Sequence, residues 1–495
     1  MRRVSSSLIA AGFTPSKTSS EPLHRQLYLT IREQILGGAL KGGDRLPSTR
    51  ALGHDLHVGR NTVTSVFEQL AAEGYLETEM GSGTYVAMQL PVKRELMQEA
   101  EQTEEHAIRW SRWAKRMAPE KLAALTDPGF RPFQPGLPDL GAFPTHVWTR
   151  LLQRAGRSPS LMGYASGQGY FPLRKAIATY LSVARGVRCD AEQVMIVSGT
   201  QQALDLIVRL LLDAGDSVLV ENPGYFGAQA ALRAAGARMV PVVIEGSAPW
   251  EIPVKNARCR LAYLTPSNQF PTGISMSAVR RLEWLEWARE TGAYIVEDDY
   301  DGEFRYSSRP LPSLQSRDTA GRVIYVGSFS KLMFPSLRLG YLVLPRNMVP
   351  AFWTAKTITA LSTSLLQQAT LAEFIEQGHF GRHIRRMRIL YKERLRVITE
   401  ALRREVGDEL VWKTPEAGMH ICVKFLCKAD DVVVSSALQA AGIGAMPLSA
   451  FYIRRAKAQG LVLGFAGYTP RAIQAGVRNL AQVVKATACR GARFR

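Results

Sequence analysis

The run VIYVGSFSKLMFPSLRLGYL, residues 323–342, decides the fold of most of this chain. Its first four residues are all apolar or aromatic, which predicts a buried strand over 323–326. Ser328, Ser330 and Lys331 follow this strand, and Arg338 comes seven residues after the lysine. A lysine and two hydroxyls beyond a buried strand predict a ligand site, because open α/β sheets bind ligands at the carboxyl ends of their strands.

Similar apolar runs recur before this one, at 194–197, 217–220, 261–264 and 294–297. Helical stretches separate them, and the clearest cover 201–212 and 277–291. Buried strands that alternate with helices require a largely parallel sheet with helices on both faces. The sequence therefore predicts an α/β large domain with a mostly parallel sheet over residues 131–495.

Further polar side chains occupy the predicted strand ends. Residues 198–200, SGT, open a helix directly after a strand, where free backbone N–H groups can bind a phosphate. Asp298 and Tyr300 follow the strand over 294–297. With Lys331 these groups meet the needs of pyridoxal 5'-phosphate (PLP): an amine for a Schiff base, an acid for the pyridine nitrogen, a donor to the ring oxygen and a phosphate cradle.

The same segments resemble the fold-type-I aminotransferases, from Phe133 nearly to the C-terminus. The motifs are SGTQQALDL (198–206), ENPGYFGAQ (221–229), TPSNQFPTG (265–273), VEDDYDGEFRY (296–306) and GSFSKLMFPSLRLGYL (327–342). The resemblance implies that Lys331 forms the Schiff base with PLP and that Asp298 keeps the pyridine nitrogen protonated. It also implies that Tyr300 binds the ring oxygen and that Tyr225 stacks on the ring. The other residues assigned to the cofactor are Gly199, Thr200, Ser328 and Arg338, which the resemblance places at the phosphate, together with Asn268 and Ser330.

The N-terminal part predicts a small DNA-binding domain over 21–88. Apolar residues every four positions predict a first helix that stops at a Gly-Gly pair: Leu23, Leu27, Ile31 and Ile35. Ser48 can cap a second helix that ends near residue 56. A third helix over 60–73 has an outer face of small polar groups that can approach base edges. Segments 75–78 and 84–87 flank a glycine turn and predict a two-stranded wing.

Residues 44–86, DRLPSTRALGHDLHVGRNTVTSVFEQLAAEGYLETEMGSGTYV, resemble the winged helix-turn-helix of the GntR family throughout. The order of this head, a linker over 89–130 and an aminotransferase-like domain resembles the MocR/GabR subfamily of regulators. The resemblance implies double-stranded operator DNA as a partner and a domain-swapped homodimer. The residues that it places at the DNA are Arg45, Ser48 and Arg50 at the backbone, Arg60, Asn61, Thr62 and Thr64 in the recognition helix, and Gly83 at the wing tip.

Two kinds of position depart from these families. Phe270 stands before the PTG triplet, where aminotransferases usually have asparagine, and Asn268 stands where the subfamily commonly has histidine. The C-terminal R-L-x-F pattern of aminotransferases, whose arginine binds the substrate α-carboxylate, is here VLGF with Val462 in place of the arginine. Without that bidentate clamp the site would hold amino acids poorly, which favours sensing over turnover.

Composition and charge limit the class of protein. The 46% hydrophobic content, without an apolar run long enough to cross a membrane, indicates a globular protein with no membrane partner. Five cysteines without metal-ligand spacing indicate reduced thiols and a cytoplasmic location. The first 20 residues are interpreted as a disordered tail in preference to a transit peptide. The net charge of +19 falls mainly on the large domain, since residues 1–86 carry nine basic and eight acidic side chains.

Nine of these basic residues lie in 382–404, which is expected to form one long amphipathic helix. A solvated helix face is the preferred interpretation, and a DNA track that includes Arg385 and Arg388 is the alternative. The whole sequence predicts a PLP-dependent transcriptional regulator that responds to PLP itself or to an amine or amino acid. The alternatives are an active PLP-dependent aminotransferase with an appended DNA-binding head, and a regulator whose large domain is a bare dimerisation scaffold.

Overall fold

The computed structural model describes residues 4–13, 21–79, 82–90, 109–117, 131–253, 259–306 and 311–487. The chain divides into two compact units, Met1–Arg109 and Trp110–Arg495. The division falls inside the predicted linker, 89–130, of which residues 91–108 and 118–130 lie outside the described part. No helix within the described ranges is long and apolar enough to span a bilayer.

The smaller unit is a helical head with a two-stranded antiparallel wing. Ser48 accepts a hydrogen bond from the Ala51 backbone N–H at 3.2 Å and so caps the second helix of the predicted pair. The wing strands pair from Leu76–Val86 to Glu79–Gly83. The three predicted helices and the wing are confirmed, with ends within two residues of the prediction. The elements are α1 (Ser6–Gly12), α2 (Leu23–Leu36), α3 (Thr49–Asp55), α4 (Arg60–Ala72), β1 (Leu76–Glu79) and β2 (Gly83–Val86).

Helix α1 corrects the expectation that residues 1–20 form a disordered tail. It packs against α2 and α3, and its Ile9 side chain is completely buried in the core of the head. The Val4 backbone N–H also donates to the Arg45 carbonyl at 2.9 Å. The sequence did not indicate this because a seven-residue helix is too short to show a clear apolar period. Residues 14–20 lie outside the described part of the chain.

Replacing Ile9 with alanine is expected to destabilise the head by about 3 kcal/mol, because it leaves a cavity where a buried side chain packs. Hydrogen–deuterium exchange of the α2 amides in the full-length protein measures this change. Ala11→Ser, on the exposed side of α1, is the control and is expected to cost less than about 0.5 kcal/mol. Equal exchange in Ile9→Ala and the parent protein would show that α1 does not support the head.

The large unit alternates helices and strands, as the sequence predicted. Its helices are α5 (Arg112–Arg116), α6 (Thr145–Ala155), α7 (Phe171–Ala184), α8 (Thr200–Leu211), α9 (Phe226–Ala235), α10 (Ala278–Thr291), α11 (Val349–Ala360), α12 (Leu365–Glu376), α13 (His379–Val406), α14 (Asp431–Ala440) and α15 (Pro470–Thr487). Its strands are β3 (Val194–Val197), β4 (Ser217–Asn222), β5 (Arg238–Val243), β6 (Leu261–Leu264), β7 (Tyr294–Asp299), β8 (Val323–Ser328), β9 (Gly340–Val343), β10 (Leu410–Trp412), β11 (His420–Phe425), β12 (Met446–Pro447) and β13 (Gly460–Gly464).

Seven strands form the main sheet, in the order β3-β9-β8-β7-β6-β4-β5. Strands β8, β7, β6, β4 and β5 run parallel, and only β9 is antiparallel to its neighbours. The central strands β6, β7 and β8 are almost wholly buried, which explains their continuous apolar runs. The mostly parallel α/β fold is confirmed. Strands β7 and β8 are each two residues longer than predicted, so Asp298 and Ser328 lie inside them.

A smaller antiparallel sheet follows near the C-terminus, in the order β10-β11-β13-β12. These short strands, and β5 and β9 of the main sheet, were not predicted from the sequence. Helix α13 covers the basic run 382–404, and its apolar face packs against α15 and into the main core. The predicted long amphipathic helix is therefore confirmed.

Candidate functional site

A cavity of about 420 Å³ opens at the carboxyl ends of the central strands β6, β7 and β8. Parallel strands end on the same edge of a sheet, so residues far apart in sequence meet there. Six of the ten residues that the sequence assigned to the cofactor line this cavity: Thr200, Tyr225, Asp298, Tyr300, Ser328 and Lys331. The other four, Gly199, Asn268, Ser330 and Arg338, are not part of the lining.

Lys331 lies three residues beyond β8 and points into the cavity. Its Nζ donates to the Gly136 carbonyl at 2.9 Å. Burial lowers the pKa of Lys331, and the nearby carboxylates of Asp301 and Asp298 partly oppose this effect. A lowered pKa makes the neutral amine more available, and the neutral amine is the form that attacks a carbonyl carbon.

Asp298 lines the cavity, and only one of its two carboxylate oxygens has a hydrogen-bond partner among the described residues. Its Oδ2 accepts a hydrogen bond from the Tyr263 hydroxyl at 2.6 Å. Its Oδ1 is buried without a hydrogen-bond partner among the described residues. Burial raises the pKa of Asp298 to about 7. An orphaned buried acceptor is costly, and a pyridine N–H would satisfy this one.

A glycine and an arginine lie close together at the start of α8, at a place suited to a phosphate group. Gly199 has φ of +101°, a conformation that favours glycine, and a Cβ built there would lie 3.7 Å from Nη1 of Arg338. Thr200 begins α8 and so presents the unpaired N–H groups of a helix start beside that guanidinium. Ser328 Oγ accepts from the Ser330 backbone N–H at 3.2 Å, so Ser330 contributes through its main chain.

Tyr300 and Asn268 form a hydrogen-bonded pair at one side of the cavity. The Tyr300 hydroxyl donates to the Asn268 carbonyl at 2.9 Å. The Asn268 amide donates to both carboxylate oxygens of Asp301 at 3.0 Å. Asn268 does not itself line the cavity, but its hydrogen bonds orient Tyr300 and Asp301, which do. Asp301 lines the cavity and was missed from sequence, although its position in the acidic run EDDYD was a usable signal.

Phe270 fills the space at the position where aminotransferases carry an asparagine. Its ring contacts Tyr225 (centroids 6.1 Å apart), Tyr300 (6.0 Å) and His420 (5.0 Å) edge to face. His420 lines the cavity and is hydrogen-bonded to the Pro271 carbonyl at 3.1 Å. Burial lowers its pKa to about 4, so this imidazole is neutral at physiological pH. No local pattern pointed to His420, because β11 joins the site through the tertiary fold.

Val462 is completely buried and belongs to an apolar cluster instead of the cavity wall. It lies on β13, paired with Cys422 on one side and Met446 on the other. The other buried members of this cluster are Phe226, Leu448, Phe451 and Tyr452. The position therefore supplies no charge to a ligand.

The head presents a polar surface at the start of α4. Arg50, Arg60 and Asn61 are exposed, and Thr62 and Thr64 are half-buried. Thr64 donates its hydroxyl hydrogen to the Arg60 carbonyl at 3.0 Å, and Ser48 serves as the α3 cap. At the wing, Gly83 has φ of +130°, and a Cβ there would come within 2.9 Å of the Arg45 guanidinium. The Arg45 guanidinium therefore lies beside Gly83 of the wing.

Several arginines of α13 make internal contacts. Arg388 donates to the Glu303 carbonyl at 2.9 Å, Arg386 to the Ala142 carbonyl, and the buried Arg394 pairs with Asp139. Arg385 is exposed. These contacts favour the structural interpretation of the basic run over a DNA track, and a charge reversal at Arg388 would disturb the fold as well as the charge.

Comparisons with known proteins agree with this architecture. Residues 23–86 match the bacterial regulatory proteins of the gntR family, and residues 136–480 match the aminotransferases of class I and II. The chain is 41% identical to the probable rhizopine catabolism regulatory protein MocR of Rhizobium meliloti, over 95% of each chain. It is 30% identical to the pyridoxine biosynthesis transcriptional regulator PdxR of Corynebacterium glutamicum, over 92% of this chain and 94% of that one.

The large unit is also similar to solved enzymes. The α-aminoadipate aminotransferase LysN of Thermus thermophilus, solved with N-(5'-phosphopyridoxyl)-L-leucine, is 30% identical with a TM-score of 0.70. The match covers 76% of this chain and 97% of that one.

Proposed function

Because the chain belongs to the MocR-type regulators of the GntR family, we propose that it is a cytoplasmic regulator whose large domain holds PLP on Lys331. The head binds operator DNA, and the large domain responds to PLP or to an amine. The two relatives named above are named as regulators, and each matches this chain over nearly its whole length. The fusion of the two units therefore favours regulation over an independent enzyme.

One observation carries the cofactor proposal: the buried Asp298 Oδ1 lacks a partner in the cavity that also contains Lys331. A pyridine nitrogen that carries a proton would satisfy that oxygen. Arg338, Gly199 and the start of α8 would hold the phosphate, and Tyr225 and Tyr300 would contact the ring and its oxygen. When bound, PLP supplies an aldehyde carbon that attaches amines covalently and reversibly.

Lys331 has the central role in the proposed sensing. Lys331 would hold the cofactor in the absence of effector, and burial lowers its pKa, which makes the neutral amine more available. Its Nζ donates to the Gly136 carbonyl, and the Asp301 carboxyl group is a nearby partner. An effector shifts the large domain only as far as its affinity differs between two states of that domain. In a domain-swapped homodimer, that shift changes the spacing of the two heads on paired half-sites.

The alternative function is transamination, since Lys331, Asp298 and Tyr300 are all present in the cavity. The buried Val462, in place of a carboxylate-binding arginine, speaks against it. Turnover of amino acids by the pure protein that depends on an added keto acid would support the enzyme.

The direct test compares PLP-loaded and PLP-stripped protein in binding to the DNA upstream of its own gene. A change of tenfold or more, about 1.4 kcal/mol, is expected if PLP itself is the signal. Equal affinity of the two forms would make PLP a fixed group and leave an amine as the signal. Failure of both forms to bind any upstream segment, with the head folded, would contradict the regulator.

A further inference from the structure

The cavity also has an apolar wall of side chains that are not assigned to PLP. They come from the N-terminal segment of the large unit, the start of α9, the loop after β6 and the region of the small sheet. They are Leu137, Leu140, Phe226, Phe270, Met419 and Met446. This wall is the surface that the body of a bound amine would contact.

The charges of the cavity are unbalanced. Lys331 is the only lysine or arginine among the lining residues that the structure describes, whereas Asp298 and Asp301 are both acidic. With PLP bound, Asp298 would pair with it, and burial lowers the pKa of Lys331, which favours its neutral amine. His420 adds no positive charge, because burial lowers its pKa to about 4. Asp301 is 1% exposed, and burial raises its pKa well above the usual range of an aspartate, so it favours the neutral acid. None of the described lining residues therefore offers an anionic ligand a strong positive charge.

The small sheet gives the reason for this imbalance. Val462, at the position of the missing arginine, is enclosed by apolar neighbours. Its strand partner Met446 reaches the cavity wall with an uncharged side chain. A carboxylate in this cavity would therefore lose its water shell without gaining a strong cation among the described lining residues.

We propose that the effector is a primary amine without a carboxylate or other anionic group, whose uncharged body lies against the apolar wall. The inference rests on the proposed function and names the class of ligand for the same site. An unpaired buried anion is strongly disfavoured. The decarboxylated form of a given amino acid is thus expected to bind at least about tenfold more tightly than the amino acid.

The test uses the full-length PLP-loaded protein and pairs of probes that differ only in the anionic group. The pairs are 2-phenylethylamine with phenylalanine, 3-methylbutylamine with leucine, n-propylamine with γ-aminobutyrate, and ethylamine with taurine. Absorption of the bound cofactor and affinity for operator DNA are both followed. Tighter binding of the plain amine in the pairs supports the inference. Equal or tighter binding of the anionic members overturns it and leaves the regulator function intact.

A second measurement tests the missing charge itself. Met446→Arg adds a cation at the half-buried cavity wall, and Val411→Arg adds the same charge at an exposed position on β10. Met446→Arg is expected to lower the preference for 2-phenylethylamine over phenylalanine at least about tenfold, whereas Val411→Arg keeps the parent preference. An unchanged preference in folded Met446→Arg overturns the inference. A protein that holds PLP but responds to no probe in either readout overturns sensing of amines at Lys331, and this inference with it.

Discussion

Lys331→Ala is expected to lose stably bound PLP and, with it, every response of operator binding to amines. The proposed covalent bond to the lysine cannot form in this variant, and the other proposed contacts, at Asp298, Arg338 and the start of α8, are non-covalent. We expect the dissociation constant for PLP to rise about a thousandfold, or about 4 kcal/mol. Absorbance of the protein after dialysis, and operator titration with and without 2-phenylethylamine, measure the two effects.

A second buried lysine supplies the control. Lys356 is completely buried, its Nζ donates to the Gly167 carbonyl, and burial lowers its pKa to about 8. Burial lowers the pKa of Lys331 in the same direction, but Lys356 does not line the cavity. Borohydride reduction of the PLP-loaded protein, followed by peptide mapping, should place the label on Lys331 and none on Lys356. Label on Lys356 would show that a reactive amine, and not the cavity, selects the attachment site.

Arg60→Ala is expected to cause the largest loss of operator binding among single changes in the head. Arg60 is the first residue of α4 and is exposed beside Asn61, at the start of the helix that we propose enters the major groove. Loss of such a contact costs about 2 kcal/mol, or about thirtyfold in affinity. A complex with two heads loses it twice, about a thousandfold in total. Fluorescence anisotropy with operator DNA at several salt concentrations measures the loss.

The matched control removes the same charge elsewhere on the head. Arg25 is exposed on α2, where its guanidinium lies over the Tyr28 ring. Arg25→Ala is expected to change operator affinity less than about threefold, under 1 kcal/mol. The dependence on salt separates the two roles of Arg60, because a lost phosphate contact reduces the logarithmic slope by about 0.9. If Arg25→Ala weakens binding as much as Arg60→Ala, the head binds DNA by net charge alone.

Much of the fold was predictable because both units are built from strong local patterns. Strands β3 and β6 were predicted with the bounds that the structure shows, since they are short, wholly buried runs. The Ser48 cap was visible from its residue type and its place before a helix. Helix α1 was missed, and the ends of β7 and β8 were placed too early. There the polar residues Asp298 and Ser328 continue a strand whose pairing, and not its composition, sets the length.

The cofactor site was predictable as a set of residue types but not as a set of contacts. The motifs placed Lys331, Asp298 and Tyr300 at strand ends, and these three line one cavity. Asn268 was also assigned to the cofactor. It does not line the cavity, and its side-chain amide donates to Asp301 and Tyr300. His420 and Met446 also line the cavity, although they lie far along the chain from Lys331, because β11 and β12 fold back on the site.

By itself the sequence determined the two-unit design, the parallel sheet and the residue types at the strand ends, because each depends on residues that are close together in the chain. The tertiary structure alone decided which atoms of these side chains remain unsatisfied and what surrounds them. The orphaned oxygen of Asp298, the apolar enclosure of Val462 and the neutral His420 all depend on burial. Burial and unpaired charge result from packing between distant segments, which no local pattern records.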